Sequence, residues 1–332
     1  MKSALITGVA GQDGVYLARH LIGLGYRVLG TVASRGRALP ILSAYLPEVT
    51  VHQVDMRDSP ALGALIRHER PDEIYNLASW SSVGRSWSDP EQVTAVNGLA
   101  VLGLLEQLKK LLDDHGYSPR VCQASSSEMF GLVRELPQTE DSPHHPRSPY
   151  AVSKSFAHYT AVNYRESYGM FVATPILFNH ESPLRPPSFV TRKITQAAAA
   201  IALGQQQELR LGLLDIRRDW GAAADYVVAM HGMLQLDEPH TINIATGQSH
   251  SLAEFIEAAF QAAGVPDYQQ RVVSDPALFR PADVPETRGD ATRARELLGW
   301  TPSQSFGDLI ASMVRADLTR LRSGTAENPE YL

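Results

Sequence analysis

A single cysteine, Cys122, occurs in the 332 residues of this chain. A lone thiol excludes an internal disulfide and any metal site built from several cysteines. Flanked by Val121 and Gln123, it reads as a small core residue on a strand. Long apolar runs are missing too. The N-terminal stretch Ala4-Leu5-Ile6 is far too short for a signal peptide or a membrane-spanning helix, so cytoplasmic placement with no membrane partner is the expectation. Neither sign of charge dominates: 30 basic residues against 36 acidic ones leave a net charge of −6. That balance argues against nucleic acid as a partner and leaves a small anionic substrate open. No cluster of metal-ligating residues stands out, and no metal is expected.

What is present is a 44% hydrophobic content, enough for a large core. In the first half, short apolar runs alternate with helical patterns. This predicts an α/β fold, a Rossmann-type doubly wound parallel sheet. Strands are expected at 4–7, 27–32, 51–54, 73–77, 121–124 and 171–178. A helix over 150–168 follows Pro149, a favoured first-turn residue. The helical pattern near 99–112 carries two apolar stripes, one to cover the sheet and one to meet a second subunit. After Phe178 the alternation stops. Helices are expected at 193–204, 225–234, 252–263 and 306–322, and strand-like runs at 208–214 and 241–244. The chain thus divides into a dinucleotide-binding part (1–178 and 218–248) and a smaller, discontinuous α+β substrate domain (179–217 and 249–332). The tail from Gly324 reads as loose, and His144 and His145 as surface residues.

Between the first strand and the first helix lies Gly8-Val9-Ala10-Gly11-Gln12-Asp13-Gly14. Glycines at these positions permit a tight turn, a close backbone approach to a pyrophosphate and close helix–strand packing. The second strand ends in Ala33-Ser34-Arg35-Gly36-Arg37, read as a loop. Two arginines and no carboxylate favour the 2′-phosphate of NADP, assigned to Arg35, over NAD. Asp55 and Met56 fall where an adenine would lie.

Tyr150 and Lys154 are four residues apart on one helical face. A nearby ammonium is expected to lower the phenol's pKa and let it exchange a proton near neutrality. Ser126 and Glu128 follow the fifth strand, at the edge where open parallel sheets bind ligands. A hydroxyl there can bond a substrate oxygen, and the carboxylate can accept a proton.

Together with ITGVAGQDG (6–14), QASSSE (123–128), PRSPYAVSK (146–154), ILFNHESP (176–183), FVTRKI (189–194), RRDWG (217–221) and FRPADV (279–284), these residues resemble the GDP-mannose 4,6-dehydratases of the extended short-chain dehydrogenase family, over nearly the full length. The resemblance implies a GDP-hexose substrate. Tyr150 would take the 4-hydroxyl proton as hydride leaves C4. Glu128 would remove the C5 proton as water leaves C6, and hydride would return to C6. It also implies cofactor contacts from Leu77, Ser79, Ser81, His180 and Arg185, with Ser82 beside the sugar. Asn179, Val190, Lys193, Arg218, Arg280 and Asp283 would hold the GDP. Ser126 stands where the family has threonine.

Other departures are Trp80 and Ser82 for a glutamine and a histidine, expected beside the sugar and nicotinamide, and Gln92 for an aromatic residue. They leave open a GDP-hexose isomerase, either an epimerase or a pyranose–furanose mutase in which the cofactor is dispensable. A non-enzymatic nucleotide-sugar sensor is a third reading. A homodimer through a four-helix bundle is expected from the resemblance, whereas the altered 33–40 segment speaks against a tetramer.

Overall fold

The computed structural model describes residues 1–278 and 284–332. The first half runs β1 (Ser3–Thr7), α1 (Gln12–Gly23), β2 (Arg27–Val32), α2 (Arg35–Tyr45), β3 (Thr50–Gln53), α3 (Ser59–Glu69) and β4 (Glu73–Asn76). Next come α4 (Pro90–Thr94), a π-helical segment at Ala95–Leu99, α5 (Ala100–His115), β5 (Arg120–Gln123), β6 (Ser125–Ser126), α6 (Pro149–Tyr168) and β7 (Val172–Leu177). The second half holds β8 (Asn179–Glu181), α7 (Val190–Ala202), β9 (Leu209–Leu211), β10 (Arg217–Arg218), β11 (Trp220–Ala222), α8 (Ala223–Met233) and β12 (Thr241–Ile244). It closes with β13 (His250–Ser251), α9 (Leu252–Ala263), β14 (Val272–Ser274), α10 (Thr292–Leu298) and α11 (Phe306–Ser323).

The main sheet is parallel in the order β12-β7-β5-β4-β1-β2-β3, with the short β6 also on β7. Strand β1 shows why it lies at the centre. All five of its residues are buried, as expected where helices cover both faces. Ala4 and Ile6 enter one core with α1 and α8, while Leu5 enters the other with α3 and α5. Polar rungs link the C-terminal strand ends. Thr7 Oγ1 donates to Asn76 Oδ1 at 2.6 Å, and Asn76 Nδ2 donates to Gln123 Oε1 at 2.7 Å. Thr7 Oγ1 also accepts the Leu77 and Ala78 amides at 3.0 and 3.1 Å.

A third core gathers α7, α9, α11 and Trp220. Its helices are joined by a buried pair, Arg192 Nε to Asp317 Oδ1 at 2.9 Å, with Thr195 donating to Asp317 Oδ2 at 2.7 Å. The chain returns to the main sheet more than once. Strand β12 extends the sheet, and Ala294 and Trp300 pack into the core beside α8, where the Trp300 indole N–H donates to the Asp225 carbonyl. The segment after 249 therefore does not belong wholly to the third core.

Three expectations need correction. Arg35 begins a helix and is not in a loop, because the apolar Ala38, Leu42 and Tyr45 give that segment a buried face. His144 is half-buried, its ring 4.9 Å from Tyr159 and 5.5 Å from Phe130. The tail beyond Gly324 is docked. Tyr331 is buried under the Arg320 guanidinium, 4.1 Å from its ring centroid, and the Tyr45 hydroxyl donates to Glu327 at 2.8 Å.

Candidate active site

A cavity of about 610 Å³ opens over the C-terminal ends of β1, β4, β5 and β7. Its floor is the glycine turn. Gly8 has φ of 68°, and a Cβ there would lie 2.9 Å from Ala78 Cα. A Cβ on Gly14 would sit 2.6 Å from the carbonyl oxygens of Gly8 and Val9. The backbone is bare where a pyrophosphate would rest against the start of α1. Gly11, Gln12 and Asp13 line the same floor, and Leu77, Ser79, Ser81 and Ser82 line the wall that follows β4.

Ser126, Glu128, Tyr150 and Lys154 face this one cavity. Ser148 caps α6 by accepting the Ala151 amide at 3.1 Å, and Pro149 fixes its first turn, so the tyrosine enters at the helix start. Lys154, one turn on, donates to the Ala124 carbonyl at 3.0 Å, and its nitrogen lies 5.9 Å from the Tyr150 ring centroid. Ser126 accepts the Glu128 amide at 3.3 Å. The expected acidification of the phenol is not found. Burial pushes the Tyr150 pKa up to about 12, outweighing the pull of its hydrogen bond with Ser126. Burial acts on Lys154 as well, bringing its amine down to about 8. For both groups desolvation is the largest cause of the shift.

A second network ties the glycine turn to β8. His180 donates to the Phe178 carbonyl through Nδ1 at 2.7 Å, stacks on Tyr226, and meets Asp13 Oδ2 through Nε2 at 3.0 Å. Burial opposes the Asp13 charge, but His180, Gln12 and Arg185 hold its pKa at about 2. Burial likewise works against the His180 cation, and Asp13 raises its pKa above the usual value. Arg185 lines the cavity, paired with the buried Glu181 at 3.0 Å and lying 3.8 Å over the Phe189 ring. Glu181 is a residue the sequence reading missed, although the quoted FNHESP motif contained it.

At the far end stand Asn179, Val190 and Arg218. Arg218 is buried and donates to the Val284 and Arg217 carbonyls at 2.7 and 2.8 Å. Neighbouring Asp219, also missed, accepts the Thr246, Gly247 and Gly289 amides at 2.9, 2.9 and 3.2 Å and so fixes this strand. Lys193 does not line the cavity; its amine turns to the Arg210 carbonyl at 2.6 Å. Arg280 and Asp283 lie outside the described residues.

A second cavity, about 560 Å³, adjoins the first across Gly8, Gly11, Ala78 and Ser79. Asp55 and Met56 line it as expected. Arg35 does not. As the first residue of α2 it lies off the cavity, and Arg37, within the same helical turn, lines it instead. Trp80 and Gln92 also line this second cavity and not the first, so Trp80 is removed from the sugar pocket where it was expected. The two cavities form one trench that fits a dinucleotide laid over the glycine turn.

A family model for GDP-mannose 4,6 dehydratase matches residues 5–313. This chain belongs to the GDP-mannose 4,6-dehydratase family. A GDP-mannose 4,6-dehydratase of Sinorhizobium fredii is 44% identical over 345 residues, covering 97% of this chain and 98% of that protein. GDP-mannose 4,6 dehydratase 2 of Arabidopsis thaliana is 44% identical over 326 residues, 96% of this chain and 87% of the relative. Among solved structures, RMD from Pseudomonas aeruginosa complexed with NADPH matches with a TM-score of 0.79 at 26% identity, over 96% of this chain and 100% of that one. UDP-glucose 4-epimerase of Thermotoga maritima, solved with UDP-glucose, shares the fold at a TM-score of 0.83 and 22% identity, over 97% and 99%.

Proposed function

We propose that this family member is an NADP-dependent GDP-mannose 4,6-dehydratase, converting GDP-mannose to its 4-keto-6-deoxy derivative and water. The observation that carries this reading is the convergence of Ser126, Glu128, Tyr150 and Lys154 on one cavity whose far end holds Asn179 and Arg218. When bound, the nicotinamide accepts hydride from C4 and returns it to C6.

The protein's own groups handle the protons. Tyr150 takes the proton of the sugar 4-hydroxyl as C4 is oxidised and passes it to solvent, because C4 stays a ketone in the product. To accept that proton the phenol must first be ionised; burial opposes this, and the Ser126 hydroxyl and the lysine ammonium one turn on would favour the phenolate. The ketone at C4 acidifies C5; Glu128 takes the C5 proton and gives it to the departing C6 hydroxyl, which leaves as water, and C5 regains a proton from solvent when hydride reaches C6. Arg218 is the diphosphate clamp, a planar fork suited to phosphate oxygens. His180 with Asp13, and Arg185 with Glu181, brace the cofactor side.

Residues 1–178 and 218–248 form mainly the cofactor part and 179–217 and 249–332 mainly the substrate part; His180 and Arg185 cross to the cofactor, Arg218 to the substrate, and α10 and Trp300 pack on the first part. The enzyme works as a homodimer through the outer faces of α5 and α6. A reducing cytoplasm suits its unpaired Cys122. No helix among the described residues is long and apolar enough to cross a membrane.

The test is incubation with GDP-mannose and NADP in deuterium oxide. Wild type should release a 4-keto-6-deoxy sugar carrying one solvent deuterium at C5, and Glu128→Gln should bind GDP-mannose without eliminating water. A cofactor-loaded wild type that yields no such product sinks the reading.

A further inference from the structure

Trp80 borders the second cavity with 42% of its surface exposed. An indole left open to water forgoes burial that large aromatic side chains usually find. Its main chain, by contrast, is held tightly. Asn97 Oδ1 accepts the Trp80 amide at 2.8 Å and the Ser79 hydroxyl at 3.0 Å, and Asn97 Nδ2 donates to the Trp80 carbonyl at 3.1 Å. Asn97 is buried and belongs to the π-helical segment, a wide turn of the kind often found at functional sites. Among the described residues no ring or cation packs on the indole. The loop is thus fixed while the side chain is presented to the cavity.

What faces it follows from strand order. With β1 between them, Trp80 comes from the β4 side, whereas Arg37 and Arg57 come from the β2 and β3 side. Arg57 is forked onto Asp55 at 2.9 and 2.6 Å. Arg37 makes no ion pair among the described residues, so its guanidinium is available to an anion. Ile41, Val54 and Met56 give the cavity apolar sides. A flat base with a phosphate on its sugar matches this distribution: aromatic at one side, apolar between, cationic at the other.

We propose that Trp80 is the stacking platform for the purine of the nicotinamide dinucleotide, with Arg37 taking the phosphate on its ribose. This rests on the cofactor assigned to the trench and adds a residue that determines how that cofactor is held. Base–aromatic stacking is sequence-tolerant and strong enough to control affinity. The aromatic surface is supplied from the loop after β4, and position 92, which shares the cavity, carries a glutamine.

The test is titration of adenosine 2′,5′-bisphosphate, followed by tryptophan fluorescence and by calorimetry. In wild type the ligand should quench emission. Trp80→Ala should lose most of that quench and bind roughly five- to a hundred-fold more weakly. Trp80→Phe, which keeps a smaller ring, should fall between, and Trp87→Phe should quench and bind as wild type does. GDP affinity and the thermal midpoint should not change in any of them, which separates loss of stacking from loss of fold. Binding by Trp80→Ala within about twofold of wild type overturns the proposal while leaving the cofactor reading intact. A wild type that binds neither this ligand nor NADP removes the cofactor reading itself, and the proposal with it.

Discussion

Burial decides the chemistry of single residues here. Lys154 carries an amine at about 8 in the fold against about 10.4 in an unfolded chain. Between those values the unfolded state binds more protons, so its contribution to stability rises with pH across that window. Lys154→Met should abolish this rise, be more stable than wild type at pH 7 by about 1–3 kcal/mol, and lose activity by roughly 10²–10⁴-fold. Urea melts between pH 7 and 9.5, below the range where Tyr150 titrates, check the first two and a product assay the third. Asp13 has the same sign in a more acidic window, and His180 the opposite sign. The carboxylate's contribution is present above its unfolded value and lost as pH falls towards 2, and the imidazolium's is lost as pH rises through its raised folded value. Asp13→Asn should therefore cost about 1–3 kcal/mol at pH 5.5 and clearly less at pH 9, by thermal melts at both. Neither shift was legible in the sequence. Tyr150 and Lys154 are visible as a pair four apart, but the depth at which they sit depends on β6 and β7, against which α6 packs.

The elements of the first half were legible because each strand is a short apolar run closed by a turn and each helix repeats its apolar face. Strand β2 has the bounds its sequence suggested, β1 and α6 each start one residue earlier, and β5 is shifted by one residue. Where local pattern and tertiary packing diverge, the reading failed. Ser34-Arg35-Gly36-Arg37 looks like a polar loop, yet the apolar contacts of Ala38, Leu42 and Tyr45 continue it as a helix and turn Arg37, not Arg35, to the cavity. The π-helical segment left no signature; it shows only as Asn97 reaching back to Ser79 and Trp80. Helices α7 and α11 bear the clearest energetic stake. Asp317 is buried with three donors on Arg192 and Thr195, so Asp317→Ala leaves a guanidinium stranded in the core. That should cost about 3–5 kcal/mol in denaturant melts. The double variant Arg192→Met/Asp317→Leu should regain much of the loss.

For the whole molecule, an open apolar face is formed by the outer side of α6 and the end of the π-helical segment at Leu99. Leu99, Val152, Phe156 and Tyr159 are each between 43% and 56% exposed there, more apolar surface than a single copy gains from leaving in water. Phe156→Glu should shift a dimer to monomer in sedimentation or light scattering while the circular dichroism spectrum stays unchanged. A wild type that sediments as a monomer at micromolar concentration would dismiss the dimer. Two ends of one trench were legible in the glycine turn and the RDWG segment, whereas the return of Trp300 to the sheet left no sign in the local sequence. One feature of that trench has a wider reach. The side chains of Thr7, Asn76 and Gln123 form an unbroken line of donors and acceptors across three strands. Altering one orphans a partner in each neighbour, so a single substitution is penalised out of proportion to its size. Beneath this pocket, then, a tolerated change at one of the three calls for a matching change at its partner.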